Sequence, residues 1–276
     1  MNIAITGASG FIGRHLMRSL AQAGHSVCAL RRHAPPAESD VVIHLAGEPV
    51  AQRWTAEARQ RIRESRIAGT RNLVDALGRL PRRPKALICA SAIGYYGSRG
   101  DEILTESSAP GSGFLPEVCV AWEREAQAAE SFGIRVVRMR TGLVLAAGGG
   151  ALQRMLPPFR MGVGGRLGSG RQWMSWIHLE DLTAMFLFAV ESQVRGPLNG
   201  VAPQPATNSE FTRELARMLR RPAVFPVPEF ALRLLFGEMA DVLLTSQRVV
   251  PAAAQAAGFR FRFPQLSPAL EDLLHR

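Results

Sequence analysis

The chain has 276 residues, 47% of them hydrophobic, and a formal net charge of +10, which is enough length for one large or two closely joined domains with a real core. Of its 33 Lys and Arg residues only Lys85 is a lysine, and the arginines are spread along the chain; with no nucleic-acid-binding motif beside them, the charge reads as a solvated surface that favours phosphorylated ligands. Three scattered cysteines, Cys28, Cys89 and Cys119, argue against a disulfide scaffold or a zinc site, no apolar run approaches the ~20 residues of a membrane helix, and no signal peptide precedes the first strand, so a soluble cytoplasmic protein with neither membrane nor nucleic-acid partner is expected.

Residues Asn2–Thr6 read as a short buried strand. It runs into Gly7-Ala8-Ser9-Gly10-Phe11-Ile12-Gly13 and then a helix that stops at Gly24. Strand, glycine turn and helix N-terminus make an anion site, because free backbone N–H groups and the positive end of the helix dipole face a pyrophosphate. Gly7 permits the tight turn, Gly10 lets the backbone approach phosphates, and Gly13 lets the helix pack close to the sheet. The next strand, Ser26–Leu30, leads into Arg31-Arg32, and no acid occurs from Gly24 until Glu38. At this place an acid suits the ribose 2′-hydroxyl of NAD, whereas arginine suits a 2′-phosphate. NADP(H) is therefore expected over NAD(H); the bland alternative is that Arg31 and Arg32 are two more surface arginines.

A strand over 40–46 follows a linker too short to hold another strand and its crossover, since a parallel connection takes a dozen or more residues. The pattern then predicts an amphipathic helix over 55–80, a strand over 86–90 ending at Ser91, a loop over 94–113, a helix over 115–132 and a strand over 134–140. This alternation argues a doubly wound α/β fold with a parallel sheet. Beyond Gly142 it fades, and glycines and prolines crowd 148–170. Helices are expected over 179–192, 209–219, 228–236 and 267–274. The reading divides the chain into a cofactor half over 1–145 and a substrate-side lobe over 146–276.

The Gly-x-x-Gly-Phe-Ile-Gly spacing resembles that of the extended short-chain dehydrogenase/reductase superfamily. Five further stretches sharpen the likeness: His44-Leu45-Ala46-Gly47-Glu48-Pro49, Ser65-Arg66-Ile67-Ala68-Gly69-Thr70, Ser91-Ala92-Ile93-Gly94-Tyr95-Tyr96-Gly97, Arg140-Thr141-Gly142-Leu143, and Gly168-Ser169-Gly170-Arg171-Gln172-Trp173 with the following Trp176-Ile177-His178. Together they resemble its atypical epimerase-like subfamily, which ends in a small C-terminal domain, here roughly 224–274. The resemblance implies a Rossmann sheet in which the third strand, an edge strand, is missing or truncated. It implies an NADP(H) site built from Gly7, Gly10, Phe11, Ile12, Arg31, Arg32, Leu45, Ala46 and Arg66, with Met139 near the nicotinamide end. It also implies an epimerase- or dehydratase-like oxidoreductase acting on a small molecule, with a homodimer among the expected assemblies.

Typical members of that superfamily carry a Tyr-x-x-x-Lys pair, whose lysine lowers the pKa of a tyrosine acid/base. This chain lacks it: its tyrosines are Tyr95 and Tyr96, and Lys85 precedes both. Leu115 and Cys119 fall at the expected places. The remaining candidates are Ser91, at the place of the superfamily's catalytic Ser/Thr, and Tyr95 or Tyr96 as proton donor with Arg99 as electrostatic aid; the alternative is that Tyr96-Gly97 only shapes the loop. On the substrate side, Glu48 is a base or a turn cap, Arg171 a clamp for phosphate or carboxylate, and Trp54, Trp173 and Trp176 flat walls. His178 reads as a residue near a helix N-cap. No metal-ligand spacing is present. The rival class is a non-catalytic NADP(H)-binding protein that senses redox state.

Overall fold

A computed structural model of the chain describes residues 1–30 and 38–275. Arg31 and Arg32 therefore lie outside the described residues. The first half builds β1 (Asn2–Thr6), α1 (Phe11–Gln22), β2 (Ser26–Leu30), β3 (Val41–His44), α2 (Ala56–Gly78), β4 (Ala86–Ala92), a short 3-10 turn over Ile93–Tyr96, β5 (Ile103–Leu104), α3 (Phe114–Gln127), a second 3-10 turn over Ala128–Phe132, and β6 (Arg135–Thr141). Local chemistry explains the boundaries. Thr55 caps α2 by accepting from the Ala58 N–H at 3.2 Å, and Gly133, at φ +79°, closes the second turn in the left-handed region where only glycine is unstrained.

The second half builds β7 (Leu143–Ala146), α4 (Gly150–Arg160), β8 (Trp173–Met174), β9 (Trp176–His178), α5 (Leu179–Glu191), β10 (Gly196–Gly200), β11 (Ala206–Thr207), α6 (Asn208–Leu219), α7 (Glu229–Phe236), α8 (Ala240–Leu244), β12 (Arg248–Val249), α9 (Ala252–Ala256) and α10 (Leu266–Leu274). Two of these correct the sequence reading. Helix α4 forms across Pro157 and Pro158, because Leu152, Leu156 and Phe159 supply a buried stripe and tertiary packing overrides the low propensity of proline. Strand β10, Gly-Pro-Leu-Asn-Gly, shows no alternation a sequence could flag, yet it pairs in parallel with β6.

The main sheet is parallel, in the order β2-β1-β3-β4-β6-β10. Among the described residues it ends at β2. Alternation along the strands sends Ile3, Ile5, Ile88, Val137 and Met139 to the face covered by α1 and α5. Ala4, Leu87, Cys89 and Val136 go to the face covered by α2 and α3. Both faces are thus dry, as a parallel sheet requires. A third cluster, which includes Leu152, Phe159, Trp176, Phe211 and Leu270, holds the second lobe together. Cys28 is exposed, because among the described residues β2 stands at the edge of the sheet.

Candidate dinucleotide site

The strand order reverses between β1 and β3, and ligands in open α/β sheets bind at the carboxyl ends of strands at such a point. Two loops meet there. The Thr6 carbonyl accepts from Leu45 N–H at 3.1 Å, and Gly7, at φ +71°, passes so close to the Leu45–Ala46 backbone that a Cβ would stand 2.8 Å from the Ala46 nitrogen. At Gly13 a Cβ would come within 2.3 Å of the Gly7 carbonyl oxygen and 2.8 Å of Ala8 Cα, so α1 can seat against the turn only with glycine there. Gly10 differs: it is exposed, and a Cβ would meet only the Gly7 oxygen at 3.1 Å. Its task is to keep space open outside the turn.

That space lies at the head of α1, where a helix favours an anion. Helix α1 has no side-chain cap and no acid in its first turn, so its first N–H groups and its positive dipole end are left to an external anion. Phe11 and Ile12 lie half-buried at that end. The Phe11 ring packs on Gly149 and Gly150, where a Cβ would be 2.5 Å and 3.1 Å away, and so joins the turn to the start of α4. Ile12 packs into the core below.

Beneath the turn runs a polar spine that sequence reasoning missed. His44 Nδ1 and the Thr6 hydroxyl lie 2.6 Å apart, and His44 Nε2 and the Thr70 hydroxyl 3.0 Å apart. Burial pushes the His44 pKa down to about 4, so the ring is neutral at pH 7. Arg66 supports the second loop from below: its Nη1 donates to the Glu48 carbonyl at 3.0 Å and to Ile62 O at 3.2 Å. Its guanidinium carbon stands 5.1 Å from the Trp122 ring centre. Burial lowers its pKa.

The end of β4, where the nicotinamide end of a dinucleotide would lie, is the least like the expectation. Gly94 faces α3 at Leu115 and Cys119, with a Cβ position 3.5 Å from Leu115 Cβ and 3.9 Å from Cys119 Sγ. Burial pushes the Cys119 thiol up to about 12, which removes it as a thiolate at neutral pH. Ser91 is buried, and its hydroxyl donates to Glu123 Oε1 at 2.7 Å. Glu123 is gripped by Arg140 through two bonds, Nε to Oε1 at 2.8 Å and Nη2 to Oε2 at 2.9 Å. Arg140 Nη1 donates to the Tyr96 hydroxyl at 2.9 Å, and that hydroxyl donates to Asn199 Oδ1 at 2.7 Å. Tyr96 is fully buried, and burial pushes its pKa up to about 12.

The geometry thus speaks against Ser91 and Tyr96 as groups that touch a substrate, since both hydroxyls are spent inside the protein. Tyr95 stays outside that hydrogen-bonded chain, half-buried, with the Arg140 guanidinium carbon 3.5 Å from its ring centre. Arg99 is occupied by Glu102, through bonds of 2.8 Å from Nε and Nη2; the arginine beside the tyrosines is Arg140, which sequence proximity could not reveal. Met139 is wholly buried and packs among the core residues under α5, because strand alternation points it away from the cleft.

On the second lobe, Trp176 is a core residue whose Nε1 donates to Gln204 O at 3.0 Å, and no wall of a cleft. Trp173 is half-buried, bonds Asp101 through Nε1 at 2.8 Å, and has the Arg248 guanidinium 4.4 Å above its ring. Arg171 is exposed. His178 is the N-cap of α5: Nδ1 accepts from Glu180 N–H at 3.1 Å, and Nε2 lies 3.3 Å from Asp272. Glu48 accepts from Gln52 Nε2 at 3.1 Å and pairs with Arg61 at 3.5 Å, which ties down the turn after β3. Nearby, Trp54 and Phe114 meet edge to face at 5.3 Å. Among the described residues no group of His, Cys, Asp and Glu is arranged to hold a metal, and no helix is long and apolar enough to cross a membrane.

The profile of the NAD dependent epimerase/dehydratase family matches residues 3–39 and 35–201, breaking where the linker before β3 is short. A domain of unknown function, DUF1731, matches residues 227–273. Epimerase family protein YfhF of Bacillus subtilis is 39% identical over 298 aligned residues, covering 99% of this chain and 98% of that protein. The chloroplastic SDR39U1 homolog of Arabidopsis thaliana is 38% identical over 302, covering 99% and 87%. The crystal structure of human epimerase family protein SDR39U1 (isoform 2) with NADPH superimposes with a TM-score of 0.93 at 34% identity, covering 100% of this chain and 99% of that one. The fold, the glycine turn and these matches place the chain in the NAD dependent epimerase/dehydratase family, as an atypical extended short-chain dehydrogenase/reductase with a small C-terminal domain.

Proposed function

We propose that the protein binds NADP(H), with the turn from Gly7 to Gly13 and the N-terminus of α1 on the pyrophosphate, and Leu45 and Ala46 beside it. Arg31 and Arg32 take the 2′-phosphate in this reading. The nucleotide half spans 1–145, with β10 completing its sheet from the lobe over 146–276. The observation that carries the reading is the uncapped α1 N-terminus behind an exposed Gly10. The NADPH bound by the 34% identical human protein supports the phosphorylated form of the cofactor. Calorimetry should give NADPH at least tenfold tighter binding than NADH, about 1.4 kcal/mol, and Arg32→Asp should erase that ratio. Equal affinities in the native protein would overturn the preference.

The chemistry follows from what surrounds the end of β4. Bound NADP(H) supplies or accepts a hydride, and an epimerase or dehydrogenase also needs a group that moves a proton. Leu115 has none, Cys119 and Tyr96 hold theirs to about pH 12, and Ser91 is turned onto Glu123. This arrangement favours a redox-sensing or regulatory NADP(H)-binding protein. Tyr95, outside the buried chain of bonds, supports the second reading, an oxidoreductase on a small molecule. The two separate on one experiment: a sensor binds NADP+ and NADPH with different affinities and turns over nothing, whereas an enzyme shows substrate-dependent change at 340 nm in a screen of small carbonyl compounds and sugars.

A further inference from the structure

The second lobe carries a cavity of about 350 Å³ whose lining shares no residue with the glycine turn. Its size falls at the small end of the roughly 300–1,000 Å³ of ligand pockets. Three pieces of chain wall it, and backbone bonds fix them. Val227 N–H donates to Arg166 O at 2.8 Å, and Gly168 N–H donates to Val227 O at 2.8 Å. The head of α6 is tied to the same piece: Leu167 N–H donates to Asn208 Oδ1 at 2.7 Å, and Ser209 N–H to Gly170 O at 2.8 Å. Arg166, Ser209, Thr212 and Arg213 give the cavity its polar lining, and Ala216 and Val224 belong to its apolar side.

The donors of that lining are not spent inside the protein. No acid lines the cavity, and the acids of α6 near it are committed elsewhere. Glu210 accepts from the Thr207 N–H and hydroxyl at 2.8 Å and 2.9 Å, and Glu214 pairs with Arg217 at 2.8 Å. Among the described residues the Arg213 guanidinium has no hydrogen bond or ion pair, and that of Arg166 has one long bond, to Ser169 O at 3.4 Å. Thr212 is 5% exposed, and its hydroxyl has no partner among the described residues. The hydroxyl oxygen is not sealed away, so the little surface Thr212 keeps includes it. A hydroxyl withdrawn from bulk water without a partner is costly, and here only the cavity can supply one. Gly170, at φ +72°, clears the floor: a Cβ there would collide with Ser209 Oγ and stand 3.1 Å from Arg166 Cδ. Glycine thus lets the Ser209 hydroxyl and the Arg166 side chain converge.

We propose that this cavity binds a small organic anion, a phosphate monoester or carboxylate on a compact apolar body. The Arg166 and Arg213 guanidinium groups give charge-assisted bonds to the anionic oxygens. The Ser209 and Thr212 hydroxyls donate to the same oxygens, and Ala216 and Val224 take the apolar part. Two arginines without an acid repel a cation. A neutral apolar molecule would bury the same donors unmatched, which is costly. The site lies within the second lobe and stands apart from the nucleotide reading.

Calorimetry on the native protein, with and without saturating NADPH, tests this directly. The probes are phenyl phosphate, benzoate, inorganic phosphate and benzyl alcohol. Phenyl phosphate or benzoate should bind with a Kd below about 1 mM, and the tighter of the two names the anionic group. Inorganic phosphate and benzyl alcohol, each lacking one half of the ligand, should bind at least about tenfold more weakly. Arg213→Ala, at an exposed and unpaired side chain, should weaken the aromatic anion about tenfold or more, with melting temperature and NADPH affinity unchanged. Thr212→Val should weaken it several-fold. No binding of either aromatic anion at about 10 mM overturns the proposal. So does an affinity unchanged in both Arg213→Ala and Arg166→Ala, which puts the anion elsewhere, or binding abolished by NADPH, which puts it in the dinucleotide site. Benzyl alcohol binding as tightly as the anions overturns the anionic class.

Discussion

The Ser91 hydroxyl donates to Glu123 at 2.7 Å, on the side of β4 that faces α3. This bond, across 32 residues of sequence, turns the superfamily's substrate-contacting position into part of a buried ionic network. Glu123 and Arg140 are 4% and 3% exposed, and their two bonds are the bidentate kind that hold a carboxylate most firmly. Burial works against the Arg140 charge, but the bonds and charge of Glu123, with Tyr96, outweigh it and raise its pKa.

The first prediction is that this pair is a structural pin. Removing one member leaves the other charged, buried and unmatched, which costs about 3–5 kcal/mol. Glu123→Ala should lower the midpoint of urea unfolding by an equivalent amount, whereas Arg71→Ala, on the exposed pair with Glu125, should cost under ~1 kcal/mol. Equal small losses in both would refute the assignment.

How far these features could be read in advance depended on how local they were. The glycine turn was legible because strand, turn and helix lie within thirteen residues and each glycine answers a steric demand. Glu123 on α3, Arg140 on β6 and Asn199 on β10 come together only once helix and strands are assembled, and no spacing betrays them. Met139 looked like a cleft residue by likeness, but alternation on β6 puts it under α5.

A second prediction separates Gly10 from Gly13. A side chain at Gly10 meets only the Gly7 oxygen, at 3.1 Å, whereas one at Gly13 collides with the turn's backbone at 2.3 Å. Gly10→Val should therefore stay folded and lose NADPH binding by 100-fold or more, measured by nicotinamide fluorescence. Gly13→Val should lose binding and also stability, by about 2–3 kcal/mol, as overpacking does. Unchanged NADPH affinity in a folded Gly10→Val protein would remove the turn from the binding site.

The third concerns pH. The His44 pKa falls from its ordinary 6.5 to about 4 in the folded state. Between those values the unfolded chain binds a proton that the native protein does not, so stability rises with pH in this window and is lost as pH falls through it. The full effect is roughly 3 kcal/mol at about 1.4 kcal/mol per pH unit. Other carboxylates titrate nearby, so the comparison is between proteins: His44→Gln should be less stable than native at pH 7.5, and the gap should narrow or reverse at pH 4.5. A gap that is constant with pH would mean that His44 does not titrate on unfolding.

The last prediction concerns proton transfer. Tyr96 is held between Arg140 and Asn199, with a pKa near 12, so Tyr96→Phe should cost about 1–3 kcal/mol of stability through unmatched buried partners and leave NADPH affinity unchanged. Cys119→Ala should also leave it unchanged, because a thiol with a pKa near 12 presents no charge to the cofactor. Tyr95→Phe is the discriminating variant. If a screen with NADPH finds a substrate, Tyr95→Phe should lower turnover by ~10²-fold or more, as loss of a general acid does, while Tyr96→Phe keeps activity at temperatures where it is folded. Full activity in Tyr95→Phe with loss in Cys119→Ala would overturn that order. With no turnover in any arm and NADP+ and NADPH binding with different affinities, Tyr95 has no catalytic part, and the redox-sensing reading accounts for the site.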